Sequence, residues 1–387
     1  MRDAAVQLDD AAFTLRRYAD KLVQVALDAL AARKPARLSW GQGSVGFAAN
    51  RAHWVDIGGV RQGFGSYGSS DIYAEGIQMR SLKIYEAGTR NETLWQIIND
   101  NLRFPEAALG DMRAQIASCQ LGARRYDELL SRYGRATVEA CIHRIWDQAD
   151  IAVRKVVEQI PDGVYTAESI LDNDGRDLET PLKIKVTVKI EGSEMTIDFS
   201  EMNPQTNSPI NSGKSGGIAG ARVAFKGLTS PDLDVNEGCF RALKVVLPDG
   251  TMLSARPPAA LGLWSIAMPT TIDTILKALA PALPHKIPAA HKGDMGGCSF
   301  YGTAPGYGRF LLMNIFGGGW GGRPHEDGED ASVSVCQGDV RNSPVELQEI
   351  RYPFLVENHA LRDDSGGVGK FRGGLGVELT YKCLAPC

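Results

Sequence analysis

The sequence predicts an α+β fold. Three observations carry this expectation. Apolar residues recur at helical spacing mainly in the first 160 positions. A strict two-residue alternation follows between 182 and 199. Helices come first, then mixed elements, then mostly strands, without the regular strand–helix alternation of a doubly wound sheet.

In chain order, positions 8 to 34 predict one amphipathic helix, with Leu15, Tyr18, Leu22, Val25, Leu27 and Leu30 among charged residues. Pro35 ends it. From Gly41 to Gly88 the texture turns glycine-rich and irregular, which places an expected boundary near 41. On this reading 1–40 is an N-terminal helix and 41–387 is the main region, helical over 91–160 and strand-rich over 163–387. Pro105 suits the first turn of a helix. Val138, Ile142, Ile145, Val153, Val156 and Ile160 form the expected core-facing stripe.

Pro161-Asp162-Gly163 then turns the chain. Leu182 to Ile190 alternates apolar and polar residues, and Met195, Ile197 and Phe199 continue the alternation after a turn at 191–194. That pattern predicts a hairpin with one buried face. A helix is expected over 216–228, a strand over Leu243 to Leu247 and a helix over 269–282. Strands are expected over Phe310 to Phe316, Val345 to Val356 and Gly376 to Tyr381.

The formal net charge of -4 argues against nucleic acid as a partner, because phosphate binding needs a basic face. No apolar run has the length of a membrane span and no signal-peptide pattern opens the chain, so a cytoplasmic location without membrane attachment is expected. The 7 cysteines form no Cys-x-x-Cys pair and predict free thiols. The 43 glycines, clustered in the second half, predict tight turns and close backbone approach.

Several motifs fail on context. Gly317 to Gly322 fits a Gly-x-Gly-x-x-Gly string, but a turn rather than a helix follows, so a structural turn is expected instead of a dinucleotide site. Gly213-Lys214-Ser215 lacks the earlier glycine of a phosphate loop, since position 208 is serine, so no ATP is expected there. Asp172-Asn173-Asp174-Gly175 lacks calcium-loop spacing and predicts a polar turn between strands. Cys119 is a conceivable nucleophile, with packing the favoured role, and no catalytic residue is assigned. His53 and Asp56, three residues apart, can face one metal, or one can orient the other, and a structural hydrogen-bonded pair is the alternative.

Around His53 the string Ala-Asn-Arg-Ala-His-Trp-Val-Asp-Ile-Gly-Gly resembles a motif of the hydantoinase B/oxoprolinase family. Further segments match in order: Ile72 to Ile77, Asp111 to Ala117, Leu171 to Gly175, Asp198-Phe199-Ser200 and Pro209-Ile210-Asn211. Asn236 to Arg241, Gly317 to Gly321, Asn342 to Glu346, Asp364 to Gly369 and Arg372 to Gly376 complete the series.

The resemblance implies a subunit that works with a hydantoinase A-like ATPase. The A-type partner would use ATP to phosphorylate the oxygen of a small cyclic amide or ketone. The B-type chain would then carry out hydrolysis at a divalent metal ion, or carboxylation in the ketone branch of the family. His53 would hold the metal, and Asp56 would hold it too or orient the histidine. The family's Gly-x-His-x-x-Asp segment is not found upstream, because 1–40 contains no histidine, and the chain stops soon after the Gly-Gly-Leu-Gly strand. The resemblance therefore implies a chain truncated at both ends, and beside the enzyme reading stands a non-catalytic remnant or assembly subunit.

Overall fold

The computed structural model describes residues 46–63, 68–338 and 340–386. The helix expected over 8–34 lies outside the described residues. Mixed helix and strand confirm the α+β class. The chain divides into two compact units. Unit 1 is Met1–Gly58 with Ile77–His143, and unit 2 is Gly59–Gly76 with Arg144–Cys387.

Unit 1 is helical. A short ribbon, β1 (Tyr85–Glu86) with β2 (Thr89–Arg90), leads into α1 (Glu92–Asp100). Asn91 caps α1 by accepting a hydrogen bond from the Leu94 amide at 3.0 Å. Helix α2 (Pro105–Tyr133) carries its proline in the first turn, where no amide donor is needed. Trp95 and Ile98 of α1 pack with Leu102 and with Ala108, Leu109 and Met112 of α2. Gly134, at φ +76°, separates α2 from α3 (Arg135–Val157), and the chain passes between units within α3.

The buried face of α3 is shifted in phase from the expected stripe. Trp146, Ala149, Val153 and Val157 are buried, whereas Ile145 is 52% exposed. Helical periodicity fixes a face about 100° wide and leaves its edge ambiguous; the larger indole won the inner position.

Unit 2 is built on a four-stranded sheet in the order β3 (Gly163–Leu171), β4 (Leu182–Glu191), β5 (Glu194–Asp198) and β6 (Leu243–Val246). The first three strands run antiparallel, and β6 joins β5 in parallel. A parallel partner needs a crossover, which α4 (Lys214–Thr229) supplies. The expected hairpin is β4–β5. Leu182, Ile184, Val186, Val188 and Ile190 enter the core with Met195, Ile197 and Phe199. Phe225 of α4 and Ile272, Ile275 and Leu279 of α5 (Ala267–Leu279) cover that face. Each such side chain stabilises the fold by about 1.5–3 kcal/mol.

Two hairpins follow: β7 (Gly297–Ala304) with β8 (Gly308–Ile315), and β9 (Phe354–Leu361) with β10 (Val377–Cys383). Phe300, Phe310, Phe354 and Tyr381 join them through ring contacts. The strand expected from Val345 starts late. Val345–Arg351 is helix α6, entered from Pro344, and β9 begins only after Pro353. The apolar residues there suggested a strand, but α6 buries Gln348 and leaves Ile350 75% exposed. The Gln348 amide nitrogen donates to the Ser343 carbonyl at 2.8 Å, and its oxygen accepts from the Tyr381 hydroxyl at 2.7 Å.

The glycine run also departs from expectation. Gly317 to Gly322 makes no turn, and no residue in it has positive φ. It runs extended, with Lys292 donating to Gly319 at 3.2 Å, Gly318 to Ser332 at 2.8 Å and Gly374 to Trp320 at 2.8 Å. A Cβ on Gly317, Gly319 or Gly321 would collide with the carbonyls of Ala331, Gly374 or Ala289. Close approach, not left-handed backbone, requires glycine here.

Candidate functional site

The two residues singled out by motif sit in different environments. His53 is exposed on a loop, and Asp56 is buried. Asp56 is well used. Its Oδ1 accepts from the Gly58 amide at 3.1 Å and from Arg103 Nη1 at 3.2 Å, and its Oδ2 accepts from the Arg103 amide. Gly58 has φ +79°, and a Cβ there would come within 2.5 Å of the Asn101 carbonyl oxygen. The Asp-Ile-Gly-Gly string is thus a folding junction that ties the motif loop to the segment between α1 and α2.

Beside it, Trp54 Nε1 donates to Gln115 Oε1 of α2 at 2.7 Å. Trp54, Phe47, Met79, Leu82, Met112 and Cys119 help line a cavity of about 710 Å³ in unit 1. Cys119 faces it as a thiol, because burial pushes its pKa up. That supports packing over nucleophilic chemistry.

A catalytic metal in a protein takes three or more protein ligands as a rule. Among the described residues, no group of three His, Cys, Asp or Glu side chains is arranged to hold a metal ion. With the Asp56 carboxylate occupied by Arg103 and Gly58, His53 and Asp56 do not by themselves make such a site.

Other motif residues also prove structural. Glu75 accepts from the Leu261 and Gly262 amides at 2.8 and 2.6 Å. Its pKa is raised, because burial outweighs those two bonds. Asn211, fully buried, donates to the carbonyls of Thr206, Ser208 and Ala260. In the turn expected between β3 and β4, Asn173 accepts from the Gly175 amide at 2.9 Å and Asp174 from the Arg176 and Asp177 amides, each at 2.8 Å. Gly238 lies against the Trp146 backbone with no room for a Cβ. Lys214, in the lysine–serine string, pairs with Asp249 at 3.0 Å.

Sequence patterns miss one arrangement. Asp273 of α5 receives His291 at its Oδ2 twice, from the ring Nδ1 at 2.5 Å and from the backbone amide at 3.1 Å. The His291 side chain is 5% exposed, and Trp320 meets its ring edge-on at 5.6 Å between centroids. The other ring nitrogen, Nε2, is buried without a hydrogen-bond partner. The next residue, Lys292, donates to the Phe316 carbonyl at 2.7 Å, and burial pulls its pKa down. Burial pushes the nearby Cys336 thiol up, against a bond with Ser334 at 3.0 Å. The signal that could have found the pair is Asp273 itself, the one acid in the apolar helix α5.

Comparison with known proteins gives these features a context. The hydantoinase B/oxoprolinase family model matches residues 38–387. This chain belongs to the hydantoinase B/oxoprolinase family. A protein of Pseudomonas sp. (strain NS671), provisionally named as the B-type subunit of a D-/L-hydantoinase, is 36% identical over 352 residues, or 88% of this chain and 59% of that one. The beta subunit of the caprolactamase of Pseudomonas jessenii is 32% identical over 341 residues, 86% of this chain and 58% of that one. The crystal structure of the ATP-dependent caprolactamase from Pseudomonas jessenii superposes with a TM-score of 0.76, at 31% identity, over 85% of this chain and 57% of that one. An acetone carboxylase structure shares the fold, with a TM-score of 0.78 at 16% identity over 85% of this chain and 46% of that one. The chain thus spans under two thirds of the length of these relatives. Among the described residues, no helix is long and apolar enough to cross a membrane.

Proposed function

We propose that this chain is the B-type subunit of a cytoplasmic, ATP-dependent cyclic-amide hydrolase and acts on an amide that a hydantoinase A-like partner has phosphorylated. The observation that carries this reading is the family match over 38–387, together with similarity to one subunit of a caprolactamase and one of a hydantoinase. The chemistry supports the division of labour. Amide resonance resists attack by water, and phosphorylation of the amide oxygen removes that resistance before hydrolysis begins. ATP would stay on the partner. A divalent metal is the proposed cofactor, with ligands beyond His53 and Asp56. The ketone-carboxylase alternative has the shared fold behind it, at an identity that speaks for the fold alone.

The test is reconstitution of this chain with an A-type partner, a cyclic amide and ATP, alongside metal analysis of the gel-filtered wild type and His53→Ala. ATP-dependent ring opening, with stoichiometric metal lost in His53→Ala, is the expected result. Absence of turnover and of metal in both proteins would instead identify a non-catalytic family member, a reading favoured by the incomplete ligand set among the described residues.

A further inference from the structure

The cavity of unit 1 has the build of a ligand pocket. One wall is a face of α2, where Met112, Gln115, Ile116, Cys119 and Ala123 recur at three- and four-residue spacing. Facing it are Phe47 and Trp54 of the motif loop and Met79 and Leu82 ahead of β1. Phe47, Met79 and Leu82 are exposed. Large apolar side chains left in water around a concave surface mark a place where something apolar binds. The volume, about 710 Å³, falls in the range of small-molecule pockets, about 300–1,000 Å³, and the cavity is partly open to solvent.

The chemistry of the lining narrows the occupant. The exposed lining is mostly apolar, and Lys83 alone among the lining residues is charged. Its Nζ pairs with Glu86 Oε1 at 3.1 Å. A carboxylate bound inside would lose water without gaining a cation of its own. The polar groups of the α2 wall are primary amides. Trp54 Nε1 can only donate, so the oxygen of Gln115 is the atom that faces it at 2.7 Å. That leaves the Gln115 Nε2 donor, which has no partner among the described residues, for an acceptor in the cavity. Gln120, in the same wall, carries both a donor and an acceptor. A cyclic amide offers the complementary carbonyl and N–H. A bare lactam ring leaves most of the volume empty, and unfilled space forfeits contact with the walls.

We propose that this cavity binds a neutral cyclic amide with a bulky apolar substituent, the ring amide meeting Gln115 and Gln120 and the substituent lying against the apolar walls. The inference rests on the cyclic-amide reading above and names its substrate class. Asn50 and Trp54, both in the lining, bracket His53 in the chain, so the pocket lies beside the loop that carries the family motif. Phosphorylation changes the amide oxygen and leaves the substituent as it was, so the free amide is a valid probe of the apolar part.

The test reads Cys119, which lines the cavity, in the full chain without partner or ATP. Labelling with N-ethylmaleimide, followed by peptide mass spectrometry, gives its rate beside that of Cys141, an exposed thiol outside the cavity. The probe is 5-benzylhydantoin, and 5-oxoproline, a lactam that carries a carboxylate, is the control. Saturating 5-benzylhydantoin is expected to slow Cys119 by about tenfold or more with Cys141 unchanged, whereas 5-oxoproline at the same concentration leaves both rates alone. Gln115→Leu should raise the concentration for half-protection about threefold to tenfold, through one lost hydrogen bond. The wild-type comparison needs no variant and decides by itself. Protection by neither compound, protection by 5-oxoproline as strong as by 5-benzylhydantoin, or a Cys119 already unreactive in the free chain would overturn the proposal. A reconstituted complex that opens cyclic amides while Cys119 stays unprotected would sink the pocket and keep the functional reading. Selective protection in a chain whose complex never turns over would do the reverse.

Discussion

Two acids, a buried one in unit 1 and a half-buried one in unit 2, show how differently a carboxylate can be used. Asp56 lies in the segment that most resembles a family motif, and Asp273 lies in none. Asp56 is consumed by structure: both of its oxygens take donors from Arg103 or Gly58. Asp273 spends one oxygen on a histidine that still has a bare buried nitrogen. Asp56 ties its loop to the chain through three donors, whereas Asp273 orients a histidine whose second ring nitrogen has no partner. The comparison shows that residues of a matching string also carry backbone contacts of the fold. Glu75, Asn211 and Gly238 also belong to matching segments, and each serves backbone contacts.

The largest effect should come from breaking the Asp56 junction. Asp56→Ala leaves the Arg103 guanidinium and two amides without their acceptor. We expect a loss of about 3 kcal/mol, at the low end for a broken buried pair because Arg103 is partly exposed. His53→Ala, at an exposed loop position, should stay within about 0.5 kcal/mol. Urea denaturation of the two variants measures both. Equal, small losses would mean that Asp56 is not the junction described.

Next comes Gly321→Ala, which tests the clamp around His291. The new Cβ would meet the Ala289 carbonyl, a backbone atom that cannot rotate away. The expected cost is about 2 kcal/mol, with a shift of the His291 ring resonances. An unperturbed protein would show that the glycine run tolerates side chains and that its close approach does not hold the 289–292 segment.

How far these contrasts could be read from the sequence depends on range. The β4–β5 hairpin was legible because its two-residue period is local and unbroken from Leu182 to Phe199. The α3 stripe was legible in period but not in phase, since Ile145 and Trp146 flank the same edge of the helix. Clustered glycine announced close approach, yet not the extended path it takes. Helix α6 was hidden because its apolar residues suit a strand as well, and only Pro344 and Pro353 bracket it. The Asp273–His291 contact depends on how a loop returns across α5, 18 residues later, and no local pattern encodes that.

A smaller change sharpens the comparison from the other side. Asp273→Asn keeps an oxygen for one donor but loses the charge that both His291 groups face. About 1 kcal/mol of stability should go, less than for Asp56→Ala. Thermal or urea unfolding reads this directly. A loss as large as that of Asp56→Ala would assign both acids chiefly to the fold and remove the contrast.

The smallest effect belongs to Glu75, a third partly buried acid, and it appears as a pH slope. Desolvation raises its folded pKa above the unfolded value, despite the Leu261 and Gly262 amides. The folded state therefore binds this proton more tightly than the unfolded chain. The resulting stabilisation is complete below the unfolded pKa and is lost as pH rises through the raised folded value. Glu75→Gln cannot ionise, so the difference in stability between wild type and variant should change across that window and level off above it. Comparing the two proteins cancels the other carboxylates, including the Arg103-paired Asp56. A difference that stays flat from acid to neutral pH would show that the two amide bonds offset the burial of Glu75 fully.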